Sequence, residues 1–174
     1  MKAWERRERI LRDLKKNNGP IKGTELAQQY NVTRQVIVQD VALLRARGEN
    51  VLATPQGYII PKVGEDNRIV KKIVCKHAGY DEIEDELMTI VDLGGRIIDV
   101  IVEHPVYGEI NGSLEISSRL DVEEFMSSLR KTNAEPLSSL TDGIHIHTIE
   151  TRDEESFKRI KKALKDRGYL IDED

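Results

Sequence analysis

Cysteine is almost absent from this chain of 174 residues: Cys75 stands alone, so no intramolecular disulfide can form and every four-cysteine zinc finger is excluded. Aromatic residues are scarce, at 5%. No apolar run approaches the roughly 20 residues that a membrane helix needs, and the opening MKAWERRERILRDLKK is too charged for a secretory signal. These absences predict a reduced, cytoplasmic protein with no membrane partner. Catalytic signatures are missing too. There is no glycine-rich phosphate loop, no G-x-S-x-G elbow and no H-E-x-x-H pair, so nucleotide hydrolysis, acyl transfer and zincin-type proteolysis lack the residues they require. No catalytic residue is assigned.

What the chain does contain is charge, at 33% of residues, beside a hydrophobic fraction of 39% that can build two small cores. The charge is unevenly divided. Residues 1–62 carry 12 Lys+Arg against 6 Asp+Glu, a net of +6, whereas residues 63–174 carry 15 against 25, a net of −10. Such a split predicts that one part meets a polyanion, since neutralising phosphates with Lys and Arg drives nucleic-acid affinity. The polar stretch Pro61-Lys62-Val63-Gly64-Glu65-Asp66-Asn67 marks the expected boundary, with domains at 1–62 and 68–174.

The basic part reads as three helices and a hairpin. Ile10, Leu11 and Leu14 form an apolar stripe on a helix from Glu5 to Asn17, stopped by Gly19-Pro20. Thr24 is the expected N-cap of a short helix, Glu25 to Tyr30, and Thr33 that of a third helix reaching Arg47. On the third, Ile37, Val41 and Leu44 point inward, leaving Arg34, Gln35, Val38 and Gln39 outward. Val51–Thr54, the turn Pro55-Gln56-Gly57 and Tyr58–Ile60 complete a winged helix-turn-helix. Its second helix would present Arg34 and Gln35 to base edges, Arg suiting guanine and Gln adenine, with Gln39 deeper. Lys22, Thr33, Arg45, Gln56 and Tyr58 would position phosphates of double-stranded DNA. The same pattern also suits a plain soluble domain or a protein-binding one.

The acidic part reads as an α+β sandwich. Strands are expected over Arg68–Lys76, from Gly95 through Val102, over Tyr107–Ile116 with a turn at Asn111-Gly112, and over Gly143–Thr151. Helices are expected over Asp81–Leu93, from an Asp121 cap to about Lys131, and from an Asp153 cap to about Arg167. His145 and His147 sit two apart on a strand, so both imidazoles leave one face, with Ile144, Ile146 and Ile149 assigned to the core side. His77 closes the first strand of this domain, two residues after Cys75, and precedes the acidic run Asp81, Glu82, Glu84, Asp85, Glu86. Three imidazoles and one carboxylate suit zinc, iron, nickel or manganese, with an open position for a small anion. A histidine pair on a strand equally fits a solvated sheet face.

The segments Glu103-His104-Pro105-Val106-Tyr107-Gly108-Glu109 and Ile144-His145-Ile146-His147-Thr148, with Lys76-His77 and the amino-terminal winged helix, resemble the niacin-responsive (NiaR-like) repressors. These join a helix-turn-helix to a three-histidine (3H) domain, and the resemblance covers nearly the whole chain. It implies a homodimeric repressor of niacin uptake or NAD biosynthesis genes, with nicotinic acid as co-repressor and a divalent metal in the sensor domain. By position it implies His77, Glu86, His145 and His147 as metal ligands, Asp85 being the alternative carboxylate. His104 and Tyr107 would lie near the effector. Two rivals use the same residues: a metal-responsive regulator without organic effector, and a metal-dependent enzyme fused to a DNA-binding domain.

Overall fold

A computed structural model describes residues 1–61 and 68–172. Its chain divides into two compact units, Met1–Gly64 and Glu65–Asp174; positions 62–67 of the expected linker lie outside the described residues. No helix among the described residues is long and apolar enough to cross a membrane.

In the first unit, α1 (Ala3–Lys16), α2 (Gly23–Gln29) and α3 (Arg34–Ala46) precede a hairpin of β1 (Leu52–Thr54) and β2 (Gly57–Ile59). The expected stripes are inside: Ile10, Leu14, Leu26, Ile37 and Leu44 are each buried to within a percent of completely. Each contributes about 1.5–3 kcal/mol through removal from water. Thr33 caps α3, its hydroxyl accepting from the Val36 N–H at 3.4 Å. Thr24 does not cap α2. That helix begins two residues earlier, at Gly23, with Lys22 in the extended cap position and no side-chain capping bond. The short sheet gains support from Ile21, which exchanges backbone hydrogen bonds of 2.8 and 2.9 Å with Tyr58.

The second unit is a five-stranded antiparallel sheet with three helices. In chain order come β3 (Ile69–Lys76), α4 (Tyr80–Asp92), β4 (Arg96–His104), β5 (Gly108–Ile116), α5 (Arg119–Thr132), a 3-10 helix (Leu137–Thr141), β6 (Ile144–Thr151), α6 (Glu154–Asp166) and β7 (Leu170–Ile171). The sheet runs β5-β4-β6-β3-β7. Ile83, Leu87 and Ile90 of α4, Val122 and Met126 of α5, and Phe157, Ile160 and Leu164 of α6 join one core with Ile73, Ile97, Ile116 and Ile149 of the sheet. All three helices therefore cover the same sheet face.

Three local expectations are corrected. The β4–β5 turn is not Asn111-Gly112 but Pro105-Val106-Tyr107, with His104 paired to Gly108. A three-residue hairpin loop needs a residue at positive φ where β5 resumes, and Gly108 at φ +73 supplies it. Asn111 and Gly112 instead pair with Ile101 and Val100 in mid-strand. Ser118, not Asp121, is the cap of α5. Asp121 is the third helical residue of a capping box, its carboxylate accepting from the Ser118 N–H at 3.0 Å while the Ser118 hydroxyl accepts from Asp121 N–H. Ile149 does not oppose the histidines. Strand alternation puts it on their face, where it is fully buried, while Ile144 on the other face is 42% exposed.

Candidate functional site

β3 carries Cys75 near its end and His77 follows directly after it, and β6, paired with β3 in antiparallel register, sets His145 directly opposite Cys75 and His147 opposite Ile73. These side chains enter the sheet face covered by the helices, where α4 presents Glu86. All of them are buried: His77 is 8% exposed, His145 and His147 3%, Glu86 1%. His77 Nε2 lies against Glu86 Oε2. His145 Nε2 is 3.1 and 3.2 Å from the two Glu86 oxygens, and His147 Nε2 is 3.4 Å from Oε1. The rings of His77 and His145, and of His145 and His147, cross edge to face with centroids 4.7 and 4.8 Å apart. Of the two carboxylates the sequence left open, Glu86 is the one at the centre; Asp85 turns outward and accepts from the Tyr169 hydroxyl at 2.7 Å.

The outer nitrogens fix how the imidazoles are protonated. His145 Nδ1 is 2.8 Å from the Gly143 carbonyl and His147 Nδ1 is 2.7 Å from the Asp99 carbonyl. A carbonyl only accepts, so each Nδ1 carries the proton and donates. In the neutral ring, Nε2 then holds a lone pair aimed at a carboxylate. Lone pair against lone pair is repulsive, and the arrangement becomes favourable only with positive charge between them. Burial alone would push Glu86 up, but the charge of His147 and hydrogen bonds from His145, His147 and His77 outweigh it and hold the carboxyl well below its ordinary value. For His147, burial pushes down, yet the Glu86 charge and hydrogen bond win and raise it. Protonating three buried rings around one carboxylate would leave excess buried positive charge. A divalent cation among neutral imidazoles balances the cluster better, and the donor set, three nitrogens and one oxygen with second ring nitrogens tied to carbonyls, fits such an ion.

Two backbone features hold this geometry. Gly143 has φ +91, and a Cβ there would fall 2.3 Å from the His77 carbonyl oxygen, so only glycine permits β3 and β6 to approach at the site. A β-bulge between Ile97 and Asp99 shifts the β4 register and brings the Asp99 carbonyl to His147. Sequence reading did not find these, and only Asp142-Gly143, a turn dipeptide before a strand, carried a visible signal. Cys75 is fully buried, and its sulfur lies within 4.8 Å of donor atoms of Glu86 and His145. Burial, then the Glu86 charge, push its thiol far up.

Beside the cluster opens a cavity of about 250 Å³. The three histidines and Glu86 line one side, and Val100, Leu114, Phe125, Leu129 and Leu137 give it apolar walls. His104 and Tyr107, expected near the effector, do not line this cavity. They occupy the β4–β5 turn, where His104 Nδ1 accepts from the N–H groups of Val106 and Tyr107 at 3.1 and 3.2 Å, and Tyr107 is 79% exposed. The hairpin turn falls at this segment, so its side chains go to the tip. The cavity-lining residues of α5 and the 3-10 helix are distant in sequence from every histidine and gave no signal.

In the first unit, Arg34, Gln35 and Gln39 are exposed on the amino-terminal part of α3; Lys22, the residue before α2, and Arg45, in the last turn of α3, are exposed as well. Gln56 and Tyr58 differ from expectation. Gln56 is 9% exposed with its Nε2 unpartnered, and Tyr58 is half-buried against the core. The wing turn folds its amide inward, its backbone N–H donating to Thr54 Oγ1 at 3.2 Å. A residue missed from the sequence is Asp40 of α3, which is 2% exposed and takes Arg6 and Arg7 of α1.

Residues 6–59 match an HTH domain and residues 70–173 a 3H domain. The chain is 46% identical over 169 residues to the probable transcription repressor NiaR of Thermotoga maritima, covering 97% of this chain and 95% of that protein. It is 40% identical over 167 residues to the transcription repressor NadR of Bacillus subtilis, covering 95% and 93%. With an HTH unit that exposes the start of its recognition helix and a 3H unit that gathers three histidines, the chain belongs to the NiaR/NadR-like family of transcription repressors, DNA-binding regulators rather than enzymes.

Proposed function

We propose that this repressor acts in the cytoplasm as a homodimer on genes of niacin uptake or NAD biosynthesis, with nicotinic acid as co-repressor bound at a metal-containing sensor domain. The observation that carries the reading is the convergence of His77, His145 and His147 on buried Glu86 at the wall of an apolar cavity. These four residues would hold a divalent transition metal such as zinc, nickel, iron or manganese. Bound there, the ion supplies a fixed positive charge and Lewis acidity at the cavity wall. Val100, Leu114, Phe125 and Leu137 exclude water and offer flat apolar contacts suited to a pyridine ring. Glu86 and the carbonyls of Gly143 and Asp99 keep the imidazoles oriented.

Regulation follows from linkage. A ligand that favours the dimer geometry in which two recognition helices reach successive major grooves, roughly 34 Å apart, raises DNA affinity by the factor by which DNA raises its own. A factor of about 10 requires only about 1.4 kcal/mol of differential binding. In the proposed interface Arg34, Gln35 and Gln39 read bases, while Lys22, Thr33 and Arg45 set the phosphates.

Gel shifts of an operator fragment with metal alone, nicotinic acid alone and both together test the reading. Retardation that requires both is expected. Full retardation with metal alone would instead favour the metal-responsive regulator.

A further inference from the structure

The helices cover one face of the five-stranded sheet, and the other face has a pattern of its own. Opposed residues across the strands place Val74, Ile146, Ile101 and Asn111 in one row there, with Val74 also paired to Ile171. Strand alternation adds Ile144 beside Ile146. Ile144 and Ile171 are 42% and 45% exposed, and Val70 at the end of β3 is 54% exposed. This apolar band runs between charges of opposite sign. On the β3 side stand Lys72 and Lys76, both exposed. On the β4–β5 side stand Glu103 and Glu109, also exposed and directly paired with each other across the strands. Like charges directly opposed on a sheet face destabilise it unless cations answer them. Among the described residues neither Glu103 nor Glu109 has an ion pair within the chain, although many other surface carboxylates do, as Glu154 does with Lys71.

We infer that this sheet face is where two copies of the chain meet, packed about a two-fold axis running along β6. It gives the homodimer a surface and depends on neither metal nor nicotinic acid. A rotation about that axis exchanges the two sides of the sheet. Lys76 of one copy then stands over Glu103 of the second and Lys72 over Asp99, Val74 lies over Ile101, which is already 4% exposed in the single chain, and Ile144 and Ile146 meet their own counterparts, as does Glu150 farther along β6, whose charge Arg96 answers within each chain at 3.0 Å. An axis across the strands would set lysine on lysine and glutamate on glutamate. The interface is isologous, each contact occurring twice, and aligned sheet packing brings such faces to about 10 Å. With the axis on β6, the strands β3, β6 and β4 overlap, and three strands of about eight residues at about 4.8 Å spacing and 3.3 Å rise present roughly 380 Å² of flat face.

The test uses sedimentation of the full chain as two charge-reversed forms, Lys72→Glu with Lys76→Glu, and Glu103→Lys with Glu109→Lys. The wild type is expected to be a dimer, and each reversed form to dissociate with a constant raised about tenfold or more. Mixed in equal amounts, the two reversed forms are expected to recover a dimer, since each then offers the charge that the other lacks. Ile146→Glu, which sets carboxylate on carboxylate at the axis, is expected to give a monomer with an unchanged circular dichroism spectrum. A monomeric wild type, a reversed form as dimeric as the wild type, or a mixture that stays monomeric would overturn the assignment. Metal content is read on the same samples and is expected to be unchanged. A wild type that retains no metal would count against the sensor reading and leave the interface result standing, whereas metal lost only from the dissociated forms would overturn the independence of the two.

Discussion

Asp40 and Glu86 are both buried almost completely, one in each unit, and they are neutralised by opposite means. Asp40 faces Arg6 at 2.5 Å and Arg7 at 3.4 Å, whose guanidinium groups are charged at every working pH. Glu86 faces three imidazoles, which unlike a guanidinium carry charge only when they take up a proton. The first carboxylate is complete as it stands and staples α1 to the recognition helix. The second sits among side chains that could hold an added cation. Burial of a charge is therefore no sign of a ligand site by itself; what decides is whether the surrounding chain already balances it.

The sharpest way to break this comparison is to remove His145 and His147 together by alanine. Metal retention and the nicotinic acid response are expected to disappear, while salt-sensitive nonspecific DNA binding stays, measured by elemental analysis and by gel shifts at two salt concentrations. Asp40→Ala makes the reverse cut. It strands two arginines that keep partial access to water, so a loss of about 2 kcal/mol in urea unfolding of the first unit is expected, with metal content intact. On the DNA side, Arg34→Ala should cost about 1–3 kcal/mol at one operator position. Arg45→Ala should weaken all sequences alike and reduce the salt slope by about one.

In the metal-stripped protein the Glu86 cluster should make stability depend on pH. The Glu86 carboxyl is lowered by folding, so its stabilising effect is in place above the ordinary carboxylate range and is lost as pH falls through the lowered native value. The His147 imidazole is raised, so its effect is in place below the ordinary imidazole value and is lost as pH rises through the raised native value. Urea midpoints against pH in chelator should show both limbs, and Glu86→Gln should flatten them. The smallest effect is expected at the hairpin tip. His104→Ala removes an acceptor for two turn N–H groups and should cost less than about 1 kcal/mol, with calorimetric nicotinic acid affinity unchanged.

Where periodicity is strong, the residues announce their structure. Ile37, Val41 and Leu44 repeat at helical spacing and all three are buried; Asp153 caps α6, accepting from the Ser156 N–H at 2.7 Å. Asp40 lies on the same inward stripe, but a carboxylate there reads as surface until Arg6 and Arg7 are seen beside it. The histidines were legible as candidates because two-residue spacing puts His145 and His147 on one face. Their convergence with His77 and Glu86 depends on strand register and on helix packing, which no local pattern encodes. The hairpin turn shows how one signal can mask another: Asn111-Gly112 is a strong turn dipeptide, yet Pro105-Val106-Tyr107-Gly108 offered a loop whose glycine meets the twist of the strands. The cavity beside the histidines was illegible because much of its wall comes from α5 and the 3-10 helix, segments with no chemistry-bearing motif.

The proposed dependence of the sensor on a cation can be measured by titrating nicotinic acid calorimetrically into the purified chain, before and after chelation and again after zinc or nickel is restored. Binding that vanishes with the metal and returns with it is the predicted result. Equal heats and equal affinity in the chelated protein would contradict the role given to His77, Glu86, His145 and His147.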